Sequence, residues 1–247
     1  MDMTASFDLH LHSYWSYDSG STIEYYFRCA RHLSVKTIAI TEHHTMDSID
    51  EAVEIGKSYP DIEYIPAAEL TVHCSIGAVD LVCLGLPVKA PASLEKMFAE
   101  YRQWQRDTGD AISNAMIEAG YKYGAEERLK VLSAYRPARV IHKQGITHVK
   151  GYRQRCEFID NNWATDETYA DFQQKVFGSA SFPNYPAAER VVPEVKKNGG
   201  LIFIAHPKGY FLENDLQRME ALKEELSLDG IECAHPSTPD ELCKFYR

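Results

Sequence analysis

The chain lacks any apolar run approaching the roughly 18 residues of a membrane span. No charged-then-apolar leader precedes its first strand-like segment, so neither secretion nor membrane insertion is expected, and the cytoplasm is the expected compartment. Cysteine pairing signals are also lacking. Cys29, Cys74, Cys83, Cys156, Cys233 and Cys243 show no C-x-x-C or zinc-ribbon spacing. Most of them lie in apolar or helical stretches, where buried free thiols are expected. Positive charge is in deficit: 26 Lys and Arg stand against 36 Asp and Glu, a net charge of -10. That balance argues against bulk nucleic-acid binding, which needs a basic face. An acidic protein still binds an anionic substrate if metal ions supply the positive charge locally.

What is present is ordinary globular material, 247 residues with 45% hydrophobic and 25% charged content. This is enough for one large α/β domain or two small ones. The stretch that organises the chain is Phe7-Asp8-Leu9-His10-Leu11-His12. As a strand it directs Phe7, Leu9 and Leu11 to one face and Asp8, His10 and His12 to the other. Imidazoles at i and i+2 lie roughly 7 Å apart along a strand, close enough to share one cation. Neutral imidazole is the commonest metal ligand, and a carboxylate beside it adds a hard oxygen or orients the ring. A half-exposed edge strand carrying incidental histidines is the bland alternative.

The following segments repeat one pattern. Ser21 or Thr22 caps a helix marked by Ile23, Tyr26, Phe27, Ala30 and Leu33. Thr37 to Thr41 reads as a buried strand running into Glu42-His43-His44, and a helix follows through Ile49, Ala52, Val53 and Gly56. Tyr64 to Ala68 leads into Glu69, and Ala78 to Leu84 forms a strand containing Asp80. Carboxylates and histidines thus collect mostly at strand C-terminal ends, where α/β sheets and barrels build active sites.

From Pro91 to about Pro186 helical patterns dominate: Leu94 to Tyr101, Ala111 to Ala119, Glu126 to Ala134 and Tyr169 to Phe177. This stretch, 91–186, is expected as a mostly helical insertion, because strands resume after it. A helix over Pro186 to Asn198 precedes the strand Leu201 to Ala205, which delivers His206. A helix near Glu213 to Leu226 precedes Gly230-Ile231-Glu232-Cys233-Ala234-His235-Pro236. Thr238 and Pro239 mark a last helix start.

These motifs resemble the PHP family, named for polymerase and histidinol phosphatase domains, and among it the bacterial phosphoesterases with a helical insertion. The resemblance rests on Asp8-Leu9-His10-Leu11-His12 followed by Asp18-Ser19-Gly20, on Thr41-Glu42-His43, on Glu69, on Ala205-His206-Pro207 and on Gly230 to Pro236. It implies a distorted (β/α)7 TIM-like barrel, formed by 1–90 and 187–247. It also implies two or three divalent metals at the strand C-terminal ends, with Mn, Fe or Zn all suiting nitrogen and oxygen ligands. By the same resemblance His10, His12 and Glu69 hold one metal, Glu69 bridges to a second shared with His206, and Asp18 and His43 hold a third.

Three departures stand out. Asp80 occupies a position usually held by histidine, and it remains a competent hard ligand. The family's R-x-H element reads Arg136-Pro137-Ala138-Arg139, with alanine for histidine. The closing G-S-D-x-H strand, which supplies an aspartate and a histidine ligand, is expected beyond Arg247. The implied activity is hydrolysis of a small phosphate mono- or diester by metal-activated water. Asp8 is expected to orient a histidine or handle the proton, Arg136 or Arg139 to clamp the phosphate, and His235 to contact substrate. A C–N hydrolase of amidohydrolase type and a degenerate binding domain are the rival readings. The expected partner is a small phosphorylated molecule.

Overall fold

The computed structural model describes residues 6–135, 137–144, 174, 178, 181–211, 215–236 and 238–247. Arg136 and, apart from 174, the helix expected over 169–177 lie outside the described residues. Six strands form one sheet in sequence order: β1 (Phe7–Leu11), β2 (Thr37–Ile40), β3 (Glu63–Cys74), β4 (Gly77–Leu84), β5 (Leu201–Ile204) and β6 (Gly230–Ile231). The first three are parallel, and β5 and β6 are parallel. β4 runs antiparallel to both of its neighbours. The fold is therefore α/β with a curled, six-stranded half-barrel sheet.

The reversal of β4 explains how Asp80 reaches the same end as the other candidate ligands. It lies in the N-terminal half of its strand and pairs with Thr71, two positions beyond Glu69. In an antiparallel strand the N-terminal half faces the C-terminal ends of its neighbours.

The clean alternation expected for β1 does not hold. A register irregularity falls between Asp8 and Leu11, and such a shift re-aims side chains locally. Leu9 packs with Ala39, Ala67 and Val82, whereas Leu11 joins Ile38, Ile40 and Phe27 in another cluster. Phe7, expected inside, is 59% exposed.

Helix α1 (Ile23–Leu33) starts where Thr22 Oγ1 accepts the Tyr25 N–H at 3.2 Å. It ends at Ser34, whose φ of 61° lets its N–H reach the carbonyls of Ala30 and Arg31. Ile23, Phe27 and Ala30 form its buried face. Helix α2 (Ile49–Gly56) buries Ile49 and Ala52.

The two segments expected at Leu94 and Ala111 are one 27-residue helix, α3 (Ala92–Glu118). Its middle turns carry Gln105 and Thr108 toward the interior, which interrupts the apolar signal without interrupting the helix. Helices α4 (Ala125–Tyr135) and α5 (Ala138–Gln144) follow. Helix α6 (Ala188–Lys197) packs Val191 and Val195 into the cluster of Leu70, Leu81, Tyr101 and Ile202. Helix α7 (Leu216–Glu225) begins at Asp215, whose Oδ1 accepts the Arg218 N–H at 3.1 Å. Helix α8 (Asp240–Tyr246) starts after Pro239, without the side-chain cap expected from Thr238. Among the described residues no helix is long and apolar enough to cross a membrane.

Candidate metal centre

The strands and the short segments after them carry polar side chains to one place. β1 continues into His12, β2 into Glu42 and His43, and β5 into His206, while Glu69 and Asp80 project from within β3 and β4. Glu69 is the centre. It is fully buried, its N–H donates to the Glu42 carbonyl at 3.0 Å, and its carbonyl accepts the His44 N–H at 2.8 Å. Its Oε2 lies 3.3 Å from His10 Nε2, 3.2 Å from His12 Nε2 and 3.1 Å from His43 Nδ1. Its Oε1 lies 3.2 Å from His206 Nε2.

Three sets of side chains each bring ligand atoms within 4.8 Å of one another: His10, His12 and Glu69; His12, Asp18 and His43; and Glu69, Asp80 and His206. The sets are linked through His12 and Glu69. The seven candidate ligands read from the sequence therefore converge, and His12 stands in two sets where the resemblance assigned it to one.

The donor chemistry fits divalent cations. Glu69 Oε2 and His43 Nδ1 are both buried and lack hydrogen-bond partners although they face one another at 3.1 Å. Buried polar atoms without partners are costly, and a shared cation satisfies both. The electrostatics of the metal-free protein agree. Burial pushes the Glu69 carboxyl up, but His10, His12, His206 and His43 outweigh it and hold it well below the usual carboxylate range. Burial pulls His10 down, while Glu232 and Glu69 raise it to about 10. His43 and His206 are lowered by burial and raised more by their carboxylate neighbours, Asp18 and Glu69 foremost.

Supporting contacts hold the ligands. Asp80 Oδ1 accepts the Thr71 hydroxyl at 2.5 Å, and Oδ2 accepts the Tyr210 hydroxyl at 3.1 Å. Thr71 Oγ1 also lies 2.8 Å from His44 Nε2. Because that hydroxyl donates to Asp80, it accepts from His44, which assigns the His44 proton to Nε2. Glu42 is fully buried and accepts the Ser16 hydroxyl at 2.5 Å, the Ser13 hydroxyl, and the Ser13 N–H at 3.2 Å. Ser16 Oγ in turn accepts the His43 N–H at 2.9 Å. The His12 and His43 rings stack at 4.4 Å, and Tyr17 stacks on His43 at 4.6 Å.

Other candidates take different places. Asp8 accepts the backbone N–H of His10 at 3.5 Å and, among the described residues, makes no side-chain bond to a histidine. His235 lies beside the centre, its ring 5.7 Å from that of His206 and 6.3 Å from that of His10. Burial, joined by the charges of His206 and His10, lowers its pKa.

Arg139, expected to clamp phosphate, instead bonds the Tyr14 hydroxyl and meets Glu51 Oε2 at 3.1 Å. Its guanidinium lies over the Trp15 and Tyr14 rings at 5.4 and 5.5 Å. Among the described contacts it touches none of the seven ligands. Sequence reasoning gave no role to Glu232, Ser13, Ser16, Thr71 or Tyr210. For Glu232 a signal existed, since it follows a strand as His12, His43 and His206 do.

A half-barrel sheet with linked histidine–carboxylate sets at one end is an arrangement that can hold divalent cations. The PHP domain family model matches residues 8–183. The chain belongs to the PHP domain family. It is 27% identical over 250 residues to the phosphoribosyl 1,2-cyclic phosphate 1,2-diphosphodiesterase of Eggerthella lenta, covering 93% of this chain and 82% of the relative. A structure of a candidate metal-dependent phosphoesterase from Bifidobacterium adolescentis matches with a TM-score of 0.69 at 19% identity, over 98% of this chain and 82% of the other. An amidohydrolase of Chromobacterium violaceum with bound sulfate and no metal matches with a TM-score of 0.69 at 21% identity, over 98% and 81%.

Proposed function

We propose that the protein hydrolyses a small sugar-phosphate ester, a monoester or cyclic diester, using two or three divalent cations held by His10, His12, Asp18, His43, Glu69, Asp80 and His206. The carrying observation is the buried Glu69 carboxylate, with three imidazole nitrogens within 3.3 Å of one oxygen. The name of the Eggerthella lenta relative supports the substrate class. Nitrogen and oxygen donors without cysteine suit Mn, Fe or Zn. We read 1–90 and 187–247 as the barrel and 91–186 as a cover over its mouth. The reach of Arg139 from α5 to Tyr14, in the loop after β1, supports that reading. The cytoplasm is the compartment we assign.

Bound divalent cations supply Lewis acidity that withdraws charge from phosphoryl oxygens and acidifies water. The chain's own groups do the rest. Glu69, kept ionised, provides the negative charge that gathers cations. Thr71 and Tyr210 hold Asp80 in place, and Ser16 steadies the backbone of His43. His235, whose pKa is lowered by burial and by the neighbouring His206 and His10, is placed to hydrogen-bond a substrate oxygen.

The test is to strip the purified protein with a chelator and assay ring opening of a phosphoribosyl 1,2-cyclic phosphate by ³¹P NMR and release of inorganic phosphate from ribose phosphates. We expect turnover to vanish and to return with added Mn²⁺. Turnover that survives complete metal removal contradicts the proposal. Hydrolysis of an amide in preference to any phosphate ester would favour the amidohydrolase reading instead.

A further inference from the structure

Glu232 stands directly after β6, and both oxygens of its carboxylate are engaged. Oε1 lies 3.1 Å from His10 Nδ1, and Oε2 accepts the backbone N–H of His206 at 2.5 Å. Its own N–H donates to the Ile204 carbonyl at 3.0 Å, which fixes the base of the side chain on β5. The carboxylate thus reaches two histidines that belong to different ligand sets, one with His12 and Glu69, the other with Glu69 and Asp80.

The His10 ring spans two carboxylates. Nδ1 faces Glu232 at 3.1 Å, and Nε2 faces Glu69 at 3.3 Å. A ring that donates Nδ1–H to a carboxylate keeps its Nε2 lone pair for the other side, which is the usual way an outer partner fixes a ligating histidine. His206 needs support of a different kind. Its φ of 30° and ψ of 59° lie in the left-handed region, and it precedes Pro207, which itself disfavours compact conformations. The hydrogen bond from its amide to Glu232 holds that backbone where the ring faces Glu69 and Asp80.

We infer that Glu232 is the positioning residue of the metal centre, setting His10 to ligate through Nε2 and pinning the backbone of His206. It does not complete any of the three ligand sets. The inference rests on the metal reading of His10 and His206. Each proton is accounted for: Nδ1–H of His10 and N–H of His206 both stay on nitrogen, and the carboxylate stays ionised.

The experiment uses the full chain, stripped of metal and titrated with Zn²⁺ alone as the probe, comparing wild type with Glu232→Ala, Glu232→Gln, Glu232→Asp and His10→Ala. An outer partner of this kind is worth about 10- to 100-fold in metal affinity. We expect Glu232→Ala to weaken the tightest Zn²⁺ binding by that factor without loss of a whole equivalent. Glu232→Gln has one acceptor for two donors and should fall between Ala and wild type, and Glu232→Asp should recover part of the loss. In wild type loaded with Zn²⁺ and labelled with ¹⁵N-histidine, His10 should carry its proton on Nδ1.

A folded Glu232→Ala or Glu232→Gln variant within twofold of wild-type affinity overturns the inference. A His10 proton on Nε2 overturns it too, whether or not the alanine variant folds. Loss of a full Zn²⁺ equivalent in both Glu232→Ala and Glu232→Gln would make Glu232 a ligand, not a positioning residue. If His10→Ala binds Zn²⁺ as wild type does, the metal reading fails first. If His10→Ala weakens binding and Glu232→Ala does not, only the role of Glu232 fails.

Discussion

His10 and Glu232 are 222 positions apart in sequence and meet with 3.1 Å between Nδ1 and Oε1. They stand at the ends of β1 and β6, the two edges of the sheet. Six strands laid flat would hold their edges about 24 Å apart, at about 4.8 Å per step. Two side chains cannot bridge that distance, so the contact requires the sheet to curl. The same curl brings candidate ligands from four other strands within reach of Glu69.

Metal binding should release protons at neutral pH. In the metal-free protein His10 is pulled down by burial and raised further by Glu232 and Glu69, to about 10 from 6.5. A raised folded value means that its stabilisation is complete below about 6.5 and is lost as pH rises through about 10. The metal-free protein should therefore melt progressively lower across that window. At pH 7 a cation entering beside His10 must displace about one proton. Titration calorimetry with Mn²⁺ in two buffers of different ionisation enthalpy reads this directly. Identical heats in both buffers would show that no proton is exchanged.

Arg139→Ala should leave catalysis nearly unchanged. Arg139 is a half-exposed partner of Glu51 and the Tyr14 and Trp15 rings. Such contacts at exposed sites contribute about 0.5–1 kcal/mol. The expected outcome is a loss of stability of about that size, with KM for the phosphate ester within threefold of wild type. A tenfold rise in KM would restore Arg139 as a phosphate clamp.

Asp229 ties α6, β5 and the start of β6 together. Its Oδ2 accepts the Ile202 N–H at 2.7 Å and pairs with Lys196, and its N–H reaches the Ile202 carbonyl at 2.8 Å. Burial opposes its ionisation, but Lys196 and the Ile202 N–H outweigh that and lower its pKa. A lowered folded value gives stability that is present above the unfolded value, 3.8, and lost as pH falls through the folded one. Both side chains are about one-third exposed, so screening reduces the ion-pair share. Asp229→Asn should cost about 1 kcal/mol at pH 7 in urea unfolding, with the difference narrowing at acid pH. An unchanged midpoint at pH 7 would show that the pair contributes nothing.

Much of the centre was legible from residue type and strand position. His10 and His12 sit two apart on a strand, and Glu69, Asp80 and His206 all fall at strand ends or on facing pleats. What escaped was what depends on tertiary geometry. The irregularity in β1 separates Leu9 from Leu11, and no alternation pattern shows it. The reversal of β4 follows from the Ser75-Ile76-Gly77 turn, with Gly77 at φ 104°, yet a strand's direction leaves no mark on its own composition. Glu232 looked like one carboxylate in a motif until the curl brought it to His10. Arg139 reads as a phosphate clamp from the sequence because its partners, Glu51 and Tyr14, are 88 and 125 positions away.

The most direct test is Glu69→Gln, measured for bound metal by elemental analysis and for phosphate-ester turnover with added Mn²⁺. The side chain keeps its size but loses the charge that four imidazoles surround. The expected result is a folded protein that has lost at least one equivalent of metal relative to wild type, with turnover down at least about 10²-fold, the scale set by removing a key electrostatic group. Full metal content and wild-type turnover in Glu69→Gln would contradict a centre built on Glu69.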